Sequence, residues 1–387
     1  MSPTKKIAIL SDFPLHVLPH SPFPAPKGHY ATWLPQLARA FEREREFEFH
    51  WLALNPGAGS DRTIQAWNQK FHVLPSSNRG RAATLFWADR HRIQNKLREI
   101  HPHLVHGWGN ENIWGWAAAF SGFPNIFSLQ GLLSEYAKLG KIGLRERLMA
   151  WIETGVLKKA EMITTESSWA RTLIEKKTGR NDIRLVEYGV PHAFFGAEPH
   201  PDKNHPYAIM VGTADFRKGI DFALQLFSRP KLGSFQLKII GGITAFGEKW
   251  KKVAPGNVEW LGRKSQAEII AWMASARCLI LPTRADVCAN VVKEARVLGV
   301  PVVASPHGGH VQYVQHGHNG FLCPLDSHET WEQSLLRFFQ DPRECSAMGS
   351  FLRQEHRDLL RPERTAEAFL ALYQERLVPP SGKEVRH

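Results

Sequence analysis

Cysteine is scarce: Cys278, Cys288, Cys323 and Cys345 are the four in 387 residues, and no pair has C-x-x-C spacing. That excludes a disulfide framework or a cysteine-ligated zinc site and reads as reduced thiols. Long apolar runs are lacking too. The run after Lys5-Lys6 ends at Leu10, too short for a signal-peptide core, and no stretch reaches the ~18 apolar residues of a membrane-spanning helix. No G-x-G-x-x-G follows that first run, where SDFPLHVLPHSPF stands instead, and no G-x4-G-K-[ST] occurs, which argues against a dinucleotide-binding dehydrogenase and a P-loop NTPase. Acidic residues are in deficit, 37 against 49 Lys and Arg, for a net charge of +12. The excess points to anionic partners: nucleic acid, phosphorylated metabolites or an acidic membrane surface.

What is present fits a soluble, cytoplasmic α/β protein, with 43% hydrophobic and 22% charged residues. Short apolar runs at 7–10, 47–54, 104–106 and 126–129 read as strands, as do 207–212, 236–241, 258–261, 278–282 and 301–305. Helical patterns lie between them at 32–42, 219–227 and 266–276, the last opened by Ser265 and Glu268 at capping-box spacing. This alternation predicts parallel, doubly wound sheets. PHAFFGAEPHPDKNHPY, residues 191–207, has neither periodicity and reads as a linker. We therefore expect a first domain over 1–195, a second over 205–362, and a C-terminal helix within 363–387 that packs on either. Ligands of such sheets bind at the carboxyl ends of strands, which places the expected site in the interdomain cleft.

The segment LILPTRADVCANVVKEARVLGVPVVAS, residues 279–305, concentrates chemistry. A buried strand ends at Pro282, a polar loop carries Asp286, and a helix runs from near Ala289 to Leu298 until Gly299 stops it. Its N-terminus at 288–291 suits a phosphate, and Glu294 shares a face with Asn290, where a carboxylate can accept from sugar hydroxyls. Spacing alone leaves the alternative that Asp286 is a loop acid and Glu294 a surface helix residue.

With Asp286 and Glu294 eight apart, this segment resembles the E-x7-E region of retaining, GT-B-fold glycosyltransferases of the "glycosyl transferases group 1" family, with Asp for the first Glu. Further matches follow in the family's order: Gly212 and Lys218-Gly219 in VGTADFRKGID, Gly241-Gly242 after KII, Leu261-Gly262 before the capped helix, then Gly308-Gly309, Gly317 and Gly320-Phe321. Ala160-Glu161 with TTES, and Tyr188-Gly189-Val190 with Phe195, extend the resemblance into the first half, where it is weaker before residue 150.

The resemblance implies two facing Rossmann-like parallel-sheet domains and sugar transfer from a nucleotide-diphosphate donor, UDP or GDP type, to a saccharide or lipid-linked acceptor in cell-surface polysaccharide or glycolipid synthesis. It implies that Lys218 contacts the diphosphate, Glu294 the ribose and Asp286 the transferred sugar. Thr213, Arg217, Gly242, Arg263, Ala289, Asn290 and Val291 would complete the donor side. Gln130 would join Asp286, Lys218 and Glu294 as the catalytic set, Gly28, His29 and Trp108 fall on the acceptor side, and the nucleotide sugar is a co-substrate, with no cofactor or metal required. Four elements depart from the family pattern: Val311-Gln312-Tyr313-Val314 stands for its P-E-x-V, and three more follow. Thr213 replaces the usual Arg, with Arg217 as the substitute cation; Gln130 replaces a His and cannot move a proton; Gly28-His29 replaces Gly-Gly. These departures keep open a catalytically weak or silent paralogue that binds nucleotide sugar.

The 19 histidines show no H-E-x-x-H or Cys/His zinc spacing; His101, His103 and His106 read as strand-edge residues, His307 and His310 as loop residues. Residues 79–98, RGRAATLFWADRHRIQNKLR, are basic with Leu85, Phe86 and Trp87 among them. They read either as a helix lying on an anionic inner-membrane surface or as a solvated helix packed on the sheet. Trp108, Trp114 and Trp116 are candidates to stack on an acceptor sugar. A nucleotide-sugar 2-epimerase would need a carboxylate and His acid/base set that the sequence does not show. Basic residues spread through both halves, with no recognised module, argue against a nucleic-acid partner.

Overall fold

The computed structural model describes residues 4–25, 33–77, 81, 84–110, 112–140, 143–354 and 357–377. Gly28 and His29 lie outside them.

The first half builds an eight-stranded sheet from β1 (Lys5–Leu10), β2 (Phe47–Asn55), β3 (Arg62–Ala66), β4 (Gln69–Pro75), β5 (Leu104–Trp108), β6 (Asn125–Leu129), β7 (Met162–Thr165) and β8 (Arg184–Leu185). Its order is β3-β4-β2-β1-β5-β6-β7-β8, and only β3 runs antiparallel to its neighbour. The second half builds a six-stranded parallel sheet from β9 (Tyr207–Val211), β10 (Gln236–Ile240), β11 (Val258–Gly262), β12 (Cys278–Leu281), β13 (Val302–Ala304) and β14 (Gly320–Leu322). Its order is β11-β10-β9-β12-β13-β14. Every residue of β12 and β13 is buried, because helices cover both faces of a parallel sheet.

Two apolar layers flank each sheet. The chain passes between the domains twice. Val190 donates its N–H to the Leu360 carbonyl at 2.8 Å where the outgoing and returning segments meet. The last helix, Pro362–Leu377, returns to the first domain: Phe369, Leu372 and Tyr373 join the first sheet's core, and the Tyr373 hydroxyl pairs with His106 Nδ1 at 2.7 Å.

Strand order reverses direction between β1 and β5 in one sheet and between β9 and β12 in the other. Loops leaving those strands at their carboxyl ends must splay apart, and that opens a crevice. Asp286 follows β12, Lys218 follows β9, and both stand at this point of the second sheet.

Candidate functional site

Local backbone chemistry fixes the loop after β9. The Asp215 carboxylate accepts the Lys218 N–H at 2.6 Å, closing a turn, and Gly219 at φ +75° starts the helix Ile220–Phe227. A Cβ on Gly219 would be driven into the Pro282 carbonyl, so glycine is required both for the angle and for the close approach to β12. The Arg217 carbonyl accepts from Thr283 Oγ1 at 3.0 Å and from the Arg284 N–H at 2.7 Å, and Arg284 grips Asp221 with two bonds of 2.8 Å. The loops after β9 and β12 are thus tied as one unit.

Two cations converge on Asp286. Lys218 Nζ lies 2.5 Å and Arg217 Nη1 3.2 Å from Asp286 Oδ2. Burial alone would raise the acid, but Lys218 and Arg217 beside it hold the carboxyl down to about 2. Arg217 also donates to the Ala285 carbonyl at 3.1 Å and lies 4.6 Å above the Tyr136 ring of the first domain. Tyr136 in turn accepts the Val287 N–H on its hydroxyl at 3.3 Å.

Beyond Ala289 the helix Asn290–Leu298 begins without a side-chain cap; the Val292 N–H turns back to the Ala289 carbonyl at 2.9 Å, and the Asn290 and Val291 N–H groups bond nothing among the described residues. Glu294, one turn further on Asn290's face, is 7% exposed and has no hydrogen-bond partner among the described residues. Burial pushes its pKa up to about 7, opposed by Lys293. It is a buried acid that protein donors have not satisfied.

A cleft of about 670 Å³ brings together Asp286, Lys218, Arg217 and Phe216 from the second domain with Gln130 and Tyr136 from the first. Gln130 has no protein partner among the described residues. Thr213 is exposed in the loop after β9, and the Arg263 guanidinium lies against Gly242, with Nη2 2.9 Å from where a Cβ would stand.

Trp108 corrects an expectation. It is 2% exposed, donates its indole N–H to Tyr188 at 3.1 Å, and packs on Trp33, His106 and Phe369 with centroids 4.5–4.8 Å apart. Successive side chains of β5 are covered by helices on both faces, so this ring is core and cannot meet a sugar. Trp114, at 1% exposure, is likewise core, and His106 is a buried neutral ring whose pKa burial lowers to about 3. Among the described residues no group of three or more His, Cys, Asp or Glu could hold a metal ion.

Several functional side chains carried no sequence signal. Tyr136 sits on the helix Leu133–Lys138, whose first N–H groups are held by the fully buried Glu153: it accepts from Leu133 N at 2.7 Å and Ser134 N at 3.3 Å. Across the domains Lys293 Nζ meets Glu166 at 2.5 Å, with side chains 1% and 3% exposed, and donates to the Tyr188 carbonyl at 2.7 Å. Burial opposes the charge on Lys293, yet Glu166 holds its pKa above the ordinary value.

Comparison with known proteins supplies the context. The "Glycosyl transferases group 1" model matches residues 195–355 and the "Glycosyltransferase Family 4" model residues 30–194. An amylovoran biosynthesis glycosyltransferase of Erwinia amylovora is 24% identical over 185 residues, 44% of this chain and 46% of that protein. The chain spans about half the length of the curated relatives it matches, 42–59%. Sucrose-phosphate synthase from Thermosynechococcus elongatus superposes with a TM-score of 0.79 at 16% identity, covering 96% of this chain and 98% of that one. Anabaena HepE in complex with UDP-glucose gives 0.70 at 15% identity, covering 96% and 99%. At these identities the superpositions establish the GT-B fold alone.

Proposed function

The chain belongs to the group 1 glycosyltransferases, and we propose that it transfers a sugar, with retention of anomeric configuration, from a nucleotide-diphosphate donor to a saccharide or lipid-linked acceptor in polysaccharide or glycolipid synthesis. The observation that carries this reading is Glu294. A buried carboxylate without protein donors, one turn inside a helix that begins four residues after the cleft residue Asp286, is suited to the paired hydroxyls of a ribose. Lys218 and Arg217 then stand where the diphosphate would lie.

As the bond from the sugar C1 to the diphosphate oxygen breaks, its electron pair goes to the diphosphate. Lys218 and Arg217 stabilise that charge in the cleft. The acceptor hydroxyl bonds to C1 on the face the diphosphate leaves, and its proton passes to the departing phosphate oxygen. Asp286 orients both cations and presents its second oxygen to the transferred sugar. Gln130, from the facing domain, can bond a sugar hydroxyl without moving a proton. In HepE the bound molecule is UDP-glucose, which supports a uridine donor here as well.

A lipid-linked acceptor is supported by one face of the first domain. There Trp87 is 66% and Phe120 49% exposed beside Arg90, whose guanidinium lies 3.9 Å over Trp116. None of the described helices is long and apolar enough to cross a membrane.

Thermal shift with UDP, GDP and ADP and their sugars tests the reading. One nucleotide family should stabilise the protein, and Glu294→Ala should remove that response. Binding without turnover in a transfer assay would identify the silent paralogue, and tight, salt-sensitive DNA binding with no nucleotide response would reject the proposal.

A further inference from the structure

At the amino end of β12, opposite the cleft, the second domain holds another pocket, of about 450 Å³. Arg277, the residue immediately before that strand, lines it. Its side chain is 4% exposed, its Nε is buried without a partner, and among the described residues its guanidinium makes no hydrogen bond or ion pair. Nearby helix-ending carbonyls do not compensate it. Ala274 and Ser275 accept from the amides of His200 and Asp202, and Ala295 and Arg296 accept from those of Val300 and Gly299. A second guanidinium at the rim, Arg353, is neutralised by a two-pronged pair with Glu198. The hydroxyl-bearing Ser346 and Ser350 line the opposite wall, on the helix Pro342–Gln354.

A guanidinium whose buried Nε–H meets no acceptor in the protein is costly unless something supplies one. Arginine's planar fork matches an oxyanion, and the volume suits a small metabolite. We infer that this pocket is a second ligand site, distinct from the interdomain cleft, that binds the phosphoryl group of a small phosphorylated molecule on Arg277 with Ser346 and Ser350 alongside. The inference rests on the Arg277 pocket and stands whether or not the donor assignment holds.

The test must separate this site from any phosphate binding in the cleft, so it is run in a Lys218→Ala background at constant ionic strength. Inorganic phosphate, a hexose monophosphate and citrate are titrated by calorimetry and thermal shift. Saturable binding of the phosphorylated probes is expected to survive Lys218→Ala. It should weaken roughly 10–100-fold on Arg277→Met, the loss expected for charge-assisted bonds. Ser350→Glu, at an exposed position and so compatible with folding, should abolish it by placing a carboxylate against the anion. If Arg277→Met fails to fold, Ser350→Glu decides alone. Absence of saturable phosphate binding, a response to citrate only, or binding unchanged in the variants would each overturn the assignment. Absence of nucleotide binding by the wild-type protein, with this phosphate binding intact, would count against the donor reading and leave this one standing.

Discussion

The two domains share one architecture but furnish the cleft in different ways. The second domain supplies charge from short loops that follow their strands directly: Lys218 is held through Asp215 and Gly219, and Asp286 through the Gly309 N–H donating to its carbonyl at 2.9 Å. The first domain supplies shape. Tyr136 and Gln130 reach the cleft on a segment fastened by Glu153, some twenty residues further along the chain, and Trp108 and Trp114 are spent on the core. Charge is thus encoded locally on one side of the cleft, while shape on the other depends on contacts distant in sequence. The changes below act on that division.

The largest effect should come from the tie between the domains. Lys293→Met leaves the Glu166 carboxylate buried without its partner, which costs about 3–5 kcal/mol. The double variant Glu166→Leu/Lys293→Met removes both charges and should recover most of that loss in chemical denaturation. If the single variant costs no more than a surface substitution, the pair does not hold the domains in register.

Next comes the charge side itself. Lys218→Ala should lower transfer on the order of 10²–10³-fold, about 2.7–4 kcal/mol, the usual loss for a preorganised group facing developing negative charge. Arg217→Ala should do the same or less, since its bonds also serve Ala285 and Tyr136. Near-normal turnover in both would place the diphosphate elsewhere.

The local encoding explains what could be read in advance. Buried parallel strands such as β12 and β13 are continuous apolar runs, and the helices between them carry stop signals such as Gly299, so strand and helix positions in the second domain were legible. Lys218 and Asp286 were named from the resemblance as separate donor contacts, and the ion pair between them was not read in advance. The β3–β4 hairpin was not legible. Its two-residue turn needs positive φ at both positions, and Trp67 (φ 50°) and Asn68 (φ 57°) supply it where Asn-Gly is the readable signal. Arg39 lies 4.6 Å over the Trp67 ring and helps hold that strained residue. Nor was Trp108 legible: a tryptophan near a strand end looks the same in sequence whether it faces a sugar or a core. Lys293 was hidden likewise, because its partner Glu166 is 127 positions away.

A smaller effect tests Glu294 through pH. Burial raises its pKa to about 7, so protonated and ionised forms both occur in the free protein around neutrality. A ribose whose hydroxyls donate to the ionised carboxylate favours the deprotonated form, so binding releases a proton. Affinity for a nucleotide sugar should then be constant above pH 7 and fall up to about tenfold per unit below it. The donor's phosphates stay ionised throughout, Asp286 is held to about 2, and burial lowers His310 below its usual range, so none of these imitates the profile. Calorimetry of the wild type and Glu294→Gln should give a sloped and a flat profile respectively. Equal slopes would remove Glu294 from the donor site.

The smallest effect belongs to the shape side. Gln130 offers one neutral side chain to the cleft and bonds no described residue of the protein. Gln130→Ala should therefore leave stability unchanged and cost about 1 kcal/mol, roughly fivefold, in transfer. The loss should fall on the acceptor: KM for acceptor rises while donor affinity stays as it was, because every donor-side group stands on the other domain. A loss as deep as that of Lys218→Ala would mean that the first domain takes part in bond cleavage, and the division of charge from shape would fail.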